Sequence, residues 1–244
     1  MKKLGLFFVS GLFSLSIYAQ DADKILADID KNLSAESRIM ESTMIVHGMR
    51  SDRIMTSKSY TVGVTKSFTE YLSPARDKGT KMLKLEKEMW MYSPSTDRTV
   101  MVSGHMLRQS VMGSDLSYED MMDDRKLSEI YTPKVVGEET YDGRKCYVME
   151  LTSKVSDAAY HSQKMWVDVE RNVPLKQELY AKSGQLLKKV ELSDFQKIDG
   201  RWFSMKMNYK DMLKEGKGTD WVITKIEFNV QIPSHIFSKA GLKQ

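Results

Sequence analysis

The feature that most constrains this fold is a two-residue alternation of apolar and polar side chains, which recurs in short runs along most of the chain. Residues 203–209 show it most clearly, because Phe203, Met205, Met207 and Tyr209 alternate with polar residues. Side chains of a strand point to opposite faces in turn, so this period predicts strands with one apolar and one solvated face. We count about ten or eleven such strands.

Turn signals separate many of these runs. The dipeptides Asp142-Gly143, Ser183-Gly184 and Asp199-Gly200 are typical of tight turns, and they predict consecutive antiparallel hairpins.

Two further strand predictions rest on shared apolar faces. The residues that share a face are Tyr60, Val62, Val64 and Phe68 in the first run, and Val222, Thr224, Ile226, Phe228 and Val230 in the second.

Helical patterns are few. Residues 21–33 are predicted as a helix, since Ala22, Ile25, Ile29 and Leu33 recur at helical spacing behind an aspartate cap. Residues 105–126 interrupt the strands and are predicted as a loop leading into a short helix. Ser117 followed three residues later by Asp120 resembles a capping box at the start of that helix.

Two short helical segments cannot cover the apolar face of so many strands. The sheet must fold onto itself as a sandwich or closed barrel, or curl around the helices and leave a lined cavity. The 18 methionines favour a cavity, because flexible thioethers adapt to ligands of variable shape, whereas a filled core is the alternative. The residues predicted to line the cavity are Tyr60, Val62, Val64, Phe68, Trp90, Tyr92, Met205, Met207 and Tyr209.

The N-terminus has the layout of a secretory signal peptide. Lys2 and Lys3 precede an apolar stretch, and small and polar residues follow at positions 19–21, so we expect cleavage after Ala19 or Gln20. A membrane anchor is the alternative, but about 14 apolar-rich residues are too few to cross a bilayer. We therefore expect a signal peptide over 1–20 and one exported domain over 21–244.

Charge and functional side chains exclude several classes of protein. Removing residues 1–20 takes away two lysines and no acid, which lowers the formal net charge from +4 to +2. Nucleic-acid binding is not expected, because it needs a clustered basic face. The four histidines share no metal-ligand spacing, and nucleotide and hydrolase motifs are absent from the sequence. We therefore expect no cofactor, no metal and no enzymatic activity, and interpret Cys146 as a buried, inert thiol.

Five acidic residues cluster in the 105–126 insertion. Their order does not match a calcium-binding EF-hand loop, so we interpret them as a solvated face that also caps a helix, with ion binding as the alternative. These residues are Asp115, Glu119, Asp120, Asp123 and Asp124.

Several segments resemble the periplasmic outer-membrane lipoprotein carriers, the LolA-like lipoprotein-sorting family. The Trp90-Met91-Tyr92-Ser93-Pro94 stretch resembles the Trp-x-Tyr-x-Pro stretch of that family, and 68–74 and 79–85 precede it in the same order. Residues 113–120 and the run from Trp166 to Trp202 look like the branch often encoded beside inner-membrane export permeases. Two positions depart from the family, because Glu86-Lys87 replaces an Asp-Gly turn, and Lys66 or Arg76 stands where the carriers have a lid-latching arginine.

The resemblance implies a mainly β (α+β) fold, an open, curled antiparallel half-barrel with helices covering a hydrophobic cavity. It also implies a carrier that binds the acyl chains of a lipid or lipoprotein, with an inner-membrane export permease as donor and an outer-membrane acceptor. Two alternatives stay open. One is an envelope sensor or scaffold that binds a partner protein without lipid, and the other is an envelope hydrolase.

Overall fold

The computed structural model describes residues 21–243, and within that range one antiparallel sheet contains thirteen strands. Each strand pairs with its neighbour in sequence, except that β1 also pairs with β13 and that β6 and β7 do not pair. The strands are β1 (Ser37–Val46), β2 (Arg53–Val62), β3 (Lys66–Ser73), β4 (Lys81–Leu85), β5 (Glu88–Ser93), β6 (Arg98–Val102), β7 (Tyr131–Tyr141), β8 (Arg144–Ser153), β9 (Ser162–Asp168), β10 (Pro174–Tyr180), β11 (Leu186–Ile198), β12 (Arg201–Asp211) and β13 (Thr219–Phe228). The helices are α1 (Ala22–Leu33), α2 (Tyr118–Met122) and α3 (Leu127–Ile130).

The sheet is open, because β6 and β7 form its two edges. These strands are consecutive in the chain, and residues 103–130 connect one edge to the other. This connection, which we call the lid, contains two short 3₁₀ turns followed by α2 and α3. Strands from both halves of the sheet line one cavity beneath it. The predicted open half-barrel is therefore confirmed.

The strand count is higher than the ten or eleven predicted. The run from Tyr60 to Phe68 is two strands rather than one, since Gly63 adopts a φ of 55° and begins a turn between β2 and β3. Residues 81–102 form three strands, joined by a tight turn at Glu86-Lys87 and a turn at residues 94–97. Such short turns are hard to distinguish from strand residues by hydrophobic period alone.

The face of the sheet under the lid, called the inner face, carries most of the apolar packing. The predicted helix α1 packs there: Ile25, Leu26 and Ile29 are buried against β7, β8 and β9, and the Asp21 carboxylate accepts a hydrogen bond from the backbone of Lys24, as the predicted cap requires. The amphipathic period of this helix therefore serves to fill one end of the half-barrel.

The opposite, outer face is also partly covered. The C-terminal segment lies over β2 to β5, and its Phe237 and Leu242 are buried in a cluster with Trp90 and Phe68. Lys239 places its ammonium group 3.9 Å from the centre of the Trp90 ring. Aromatic residues on both faces of one sheet are therefore buried, by the lid on one side and by the C-terminal segment on the other.

A bulge changes the predicted face of β13. Glu41 pairs with Lys225 but the next residue of β1, Ser42, pairs with Ile223, so Thr224 is an extra residue. As a result Ile223 lies in the same buried cluster as Ile226 and Phe228. A single face shared by Val222, Thr224, Ile226, Phe228 and Val230 is therefore wrong, because one extra residue moves the side chains that follow it to the other face.

Within residues 21–243, no helix is long and apolar enough to cross a membrane. The predicted signal peptide, residues 1–20, lies outside the described residues.

Candidate functional site

A cavity lies between the inner face of the sheet and the lid. Its first chamber, of about 320 Å³, is lined by β1 to β3, by β9 to β13 and by α2 and α3. Its second chamber, of about 430 Å³, lies nearer the end of α1. Both chambers are lined by Met40, Leu127, Tyr209 and Trp221, so they adjoin. Volumes of several hundred Å³ are typical of small-molecule sites.

Much of the cavity wall is apolar. The apolar residues come from α1, from the lid and from β1 and β10 to β13, and six of them belong to three otherwise separate clusters. The apolar residues that line one or both chambers are Leu33, Met40, Leu116, Met121, Leu127, Ile130, Leu179, Val190, Phe203, Met207 and Trp221. This wall can hold a chain-like apolar group away from water.

The wall formed by β2 and β3 is different, because hydroxyl groups line it. Ser59 is paired with Thr69 across the two strands, and their side-chain oxygens are 2.9 Å apart. The next cross-strand pair, Thr61 and Ser67, also lines the first chamber. On the facing wall, Gln177 adds an amide group. The cavity is therefore amphiphilic rather than uniformly apolar.

Two cations of the sheet hold the lid through one carboxylate. Asp124, between α2 and α3, accepts from Arg38 at 2.6 Å and from Lys84 at 2.8 Å. The Lys84 side chain is 2% exposed, and a lysine is rarely so buried unless it is paired. This contact joins β1 and β4 to the lid.

A second contact of the same kind lies at the other side of the cavity. The Asp120 carboxylate contacts Lys188 on β11 and accepts a hydrogen bond from the hydroxyl of Tyr160 at 2.5 Å. The same carboxylate accepts from the backbone of Ser117 at 2.7 Å, completing the predicted capping box of α2. Burial and the neighbouring charge of Asp120 raise the pKa of Tyr160 well above its usual range, so this hydroxyl stays a donor.

Helix α1 fixes the last turn of the lid. The buried carboxylate of Asp30 accepts from the backbone of Leu127 at 2.7 Å and of Ser128 at 3.0 Å, the first residues of α3. Arg125 stabilises the same region by binding Asp123 at 2.8 Å. A helix needs acceptors for its first N–H groups, and here another helix supplies them.

These contacts correct the interpretation of the acidic cluster as a solvated face. Asp120 and Asp124 bind sheet cations, and Asp115 is buried and accepts from Thr219 at 2.8 Å. Glu119 lines the first chamber, where burial raises its pKa above the usual value for a glutamate. Within residues 21–243, no group of three or more His, Cys, Asp or Glu is arranged to hold a metal.

Four of the nine residues predicted to line the cavity lie at or near it. Tyr209 lines both chambers, Met207 lines the second, and Val64 lies at the rim of the second with 43% of its surface exposed. Met205 is buried in the adjoining cluster with Phe203 and Ile223.

The other five residues lie on the outer face. They belong to the cluster covered by the C-terminal segment, and they are Tyr60, Val62, Phe68, Trp90 and Tyr92. Their positions in β2, β3 and β5 alternate with residues that point to the lid, such as Ser59, Thr69 and Met91. These five predicted residues therefore do not line this cavity, because their side chains point to the opposite face of the sheet.

Sequence reasoning also missed a methionine-rich cluster under the lid. Met44, Met55, Met82 and Met89 are buried on the inner face of β1, β2, β4 and β5. Five more methionines pack against them, namely Met91 from the sheet and Met106, Met112, Met121 and Met122 from the lid. Only the high methionine count of the chain indicated such a cluster.

The one cysteine is distant from this site. Cys146 is buried on β8 in a cluster with Trp166 and Val148, and burial raises the pKa of its thiol. A raised pKa keeps the thiol protonated at neutral pH and lowers its reactivity.

The fold is that of LolA-superfamily proteins. A DUF1329 family protein from Desulfovibrio piger superposes with a TM-score of 0.81 at 25% identity, covering 92% of this chain and 98% of its own. A domain from Vibrio parahaemolyticus, described as an outer membrane lipoprotein-sorting protein domain, gives 0.76 at 25% identity, covering 93% and 100%. The LolA superfamily protein NE2245 from Nitrosomonas europaea gives 0.75 at 22% identity, covering 90% and 98%.

Sequence comparisons identify no activity. A family model described as "Uncharacterized protein" matches residues 63–244. A curated protein, uncharacterized protein MJ0687 from Methanocaldococcus jannaschii, is 46% identical over 55 residues, which is 22% of this chain. That match spans 16% of the length of the relative, so it bears on a short segment of both proteins.

Proposed function

We propose that this chain, which belongs to the uncharacterized family matched over residues 63–244, is a periplasmic carrier that shields the acyl chains of a lipid or lipoprotein. The observation that carries the proposal is the cavity between the lid and the sheet, part of whose wall is formed by apolar residues of α1, the lid and the sheet. Similarity to a lipoprotein-sorting domain supports the same class of ligand. The carrier would take its cargo from an inner-membrane export permease and deliver it to an outer-membrane acceptor.

Burial of apolar surface provides the binding energy in this proposal. Each methylene moved from water into the cavity contributes about 0.8 kcal/mol. The carrier therefore needs no nucleotide to hold its cargo, and transfer follows from an acceptor with a more favourable site. Catalysis is not part of the proposal, because the residues of the cavity act by shape and burial.

Entry of a chain requires the lid to move. The lid is joined to the sheet by Asp124, which contacts Arg38 and Lys84, and by Asp120, which contacts Lys188. A wider polar cleft of about 1040 Å³ adjoins the first chamber and shares Tyr160 and Lys188 with it. We propose this cleft as the place where the polar end of the cargo stays in water.

Displacement of a fluorescent fatty-acid probe by palmitate tests this function. Met40 lines both chambers, so Met40→Trp should fill them and weaken palmitate binding at least about tenfold, which is about 1.4 kcal/mol. Met101 lies exposed on the edge strand β6, and Met101→Trp is the matched control that should leave binding unchanged. Purified protein that binds no acyl chain would instead favour a sensor or scaffold that binds a partner protein.

A further inference from the structure

We infer that the acyl chain held in the cavity carries a hydrogen-bonding oxygen, a hydroxyl or an ester or keto oxygen, within its buried length. The inference rests on the proposed function and makes its ligand class more specific. It starts from the hydroxyl-lined wall formed by β2 and β3, where a plain hydrocarbon chain would leave the Thr61 and Ser67 hydroxyls without partners.

The two cross-strand pairs of this wall differ. Ser59 and Thr69 bond to one another, with their oxygens 2.9 Å apart. Thr61 and Ser67 face each other across the same two strands, yet among the described residues neither hydroxyl bonds to another protein group. Both residues line the first chamber, and Thr61 is buried. Their donors and acceptors are therefore directed at the content of the cavity.

A third polar group lies on the opposite wall. Gln177 on β10 lines the same chamber, and in residues 21–243 its side-chain amide has no hydrogen-bonding partner from the protein. An amide and two hydroxyls offer both donors and acceptors, so they can bind a hydroxyl or a carbonyl oxygen of a ligand. Leu179, two residues farther along β10, lines the same wall with an apolar side chain. A chain lying between the walls therefore meets both apolar and polar groups.

The unpaired hydroxyl and amide groups should make the cavity select oxygenated chains over plain hydrocarbon chains. A buried polar group left without a partner costs more than the hydrogen bond itself contributes when it is made. A site with such groups therefore rejects the analogue that lacks the matching oxygen. A purely hydrocarbon ligand would be served better by valine and alanine at positions 61 and 67, where this chain has Thr61 and Ser67.

The test compares palmitate with hydroxypalmitates that carry the hydroxyl near the carboxyl end, in mid-chain or near the methyl end, and with the matching ketopalmitates. Displacement of a fluorescent fatty-acid probe gives each affinity. We expect at least one oxygenated isomer to bind about fivefold or more tightly than palmitate, the value of one hydrogen bond. The hydroxy and keto series distinguish a hydroxyl ligand from a carbonyl ligand.

Substitutions test whether the preference for an oxygenated chain arises from the proposed polar groups of the cavity. Thr61→Val removes the hydroxyl at nearly constant shape, and Gln177→Leu removes the amide; each should reduce the preference while palmitate binds at least as well as before. Thr152→Val, an exposed strand position outside the cavity, is the matched control and should keep the preference. Thermal unfolding of each variant verifies that it is folded.

Failure of the inference and failure of the proposed function give different results. If palmitate binds and every oxygenated isomer binds no better, the cavity holds a plain chain and the inference is overturned while the carrier function stands. A preference that survives in both variants also overturns it, because the recognising groups then lie elsewhere. If no fatty acid binds, the carrier function fails, and the ligand class fails with it.

Discussion

Lys84 and Asp124 form an ion pair of 2.8 Å that joins strand β4 to the lid, and the Lys84 side chain is 2% exposed. Arg38 contacts the same carboxylate at 2.6 Å. One acidic residue of the lid therefore neutralises two cations of the sheet. Removing one partner of a buried pair is costly, because the remaining charge has lost its compensation.

Asp124→Asn should destabilise the protein by about 3 kcal/mol, since it leaves the buried ammonium of Lys84 without a counter-charge. Urea denaturation measures the change in the free energy of unfolding. Asp157→Asn is the control, because its pair with Arg125 is exposed and should contribute less than about 1 kcal/mol. Equal effects of the two substitutions would show that the lid does not depend on the Asp124 contacts.

Asp30→Ala should loosen α3 without unfolding the sheet. The Asp30 carboxylate accepts from the backbone of Leu127 and Ser128, and loss of a helix cap costs about 1 to 2 kcal/mol. Hydrogen exchange at these two amides should become about tenfold faster. Asp23→Ala, at an exposed position in the same helix, should leave their exchange unchanged. If these two amides exchange as slowly in Asp30→Ala as in Asp23→Ala, Asp30 does not cap α3.

Glu119→Gln should make stability less dependent on pH. Burial raises the pKa of Glu119 in the folded protein, so its charged form is disfavoured there relative to the unfolded chain. The neutral form therefore favours folding below the usual glutamate pKa, and this contribution is lost as pH rises through the folded value. Thermal unfolding should show a gain of less than about 1 kcal/mol for the variant at pH 7 and none at pH 3. A variant less stable than the wild type at pH 7 would contradict this assignment.

Asp168 should make the opposite contribution. Its burial alone would raise the pKa, but hydrogen bonds from Arg144 and the backbone of Glu170, with the charge of Arg171, lower it below the ordinary value of 3.8. Its stabilisation is therefore present above that value and is lost as pH falls through the lower, folded pKa.

Acid denaturation of Asp168→Asn tests this contribution. The variant should lose about 3 kcal/mol at pH 7, because Arg144 and Arg171 lose their shared partner, and its stability should fall less steeply below pH 4 than that of the wild type. Glu170→Gln removes an exposed partner of Arg144 and should follow the wild-type profile. If the stability of Asp168→Asn falls as steeply below pH 4 as that of the wild type, other carboxylates cause the acid sensitivity.

The sequence was sufficient to predict the class of fold. Strand period, turn dipeptides and helix caps depend on neighbouring residues, so α1, the capping box of Ser117 and most strands could be predicted from local patterns. Strand boundaries at short turns such as Gly63 were harder to predict, because a turn of three residues hardly disturbs the alternation of apolar and polar residues. The bulge at Thr224 depends on pairing with a distant strand, which a local pattern does not contain.

The site was less predictable, for a physical reason. Trp90 and Phe68 are apolar and buried, as a cavity residue would be, but the C-terminal segment covers them on the outer face. Thr61 and Thr69 are polar and look like solvated positions, yet they are buried under the lid. Alternation shows which residues share a face, whereas what covers each face is decided by segments far away in sequence.

The most direct test of the cavity as an acyl-chain site is quenching of tryptophan fluorescence by brominated palmitate, which quenches only on close approach. Trp221 lines both chambers, whereas Trp90 is packed on the outer face. Two variants, each retaining one of these tryptophans with the other three changed to phenylalanine, separate the faces. We predict saturable quenching of Trp221 and little quenching of Trp90. Quenching of Trp90 alone, or of neither residue at concentrations that saturate the wild type, would contradict an acyl chain beneath the lid.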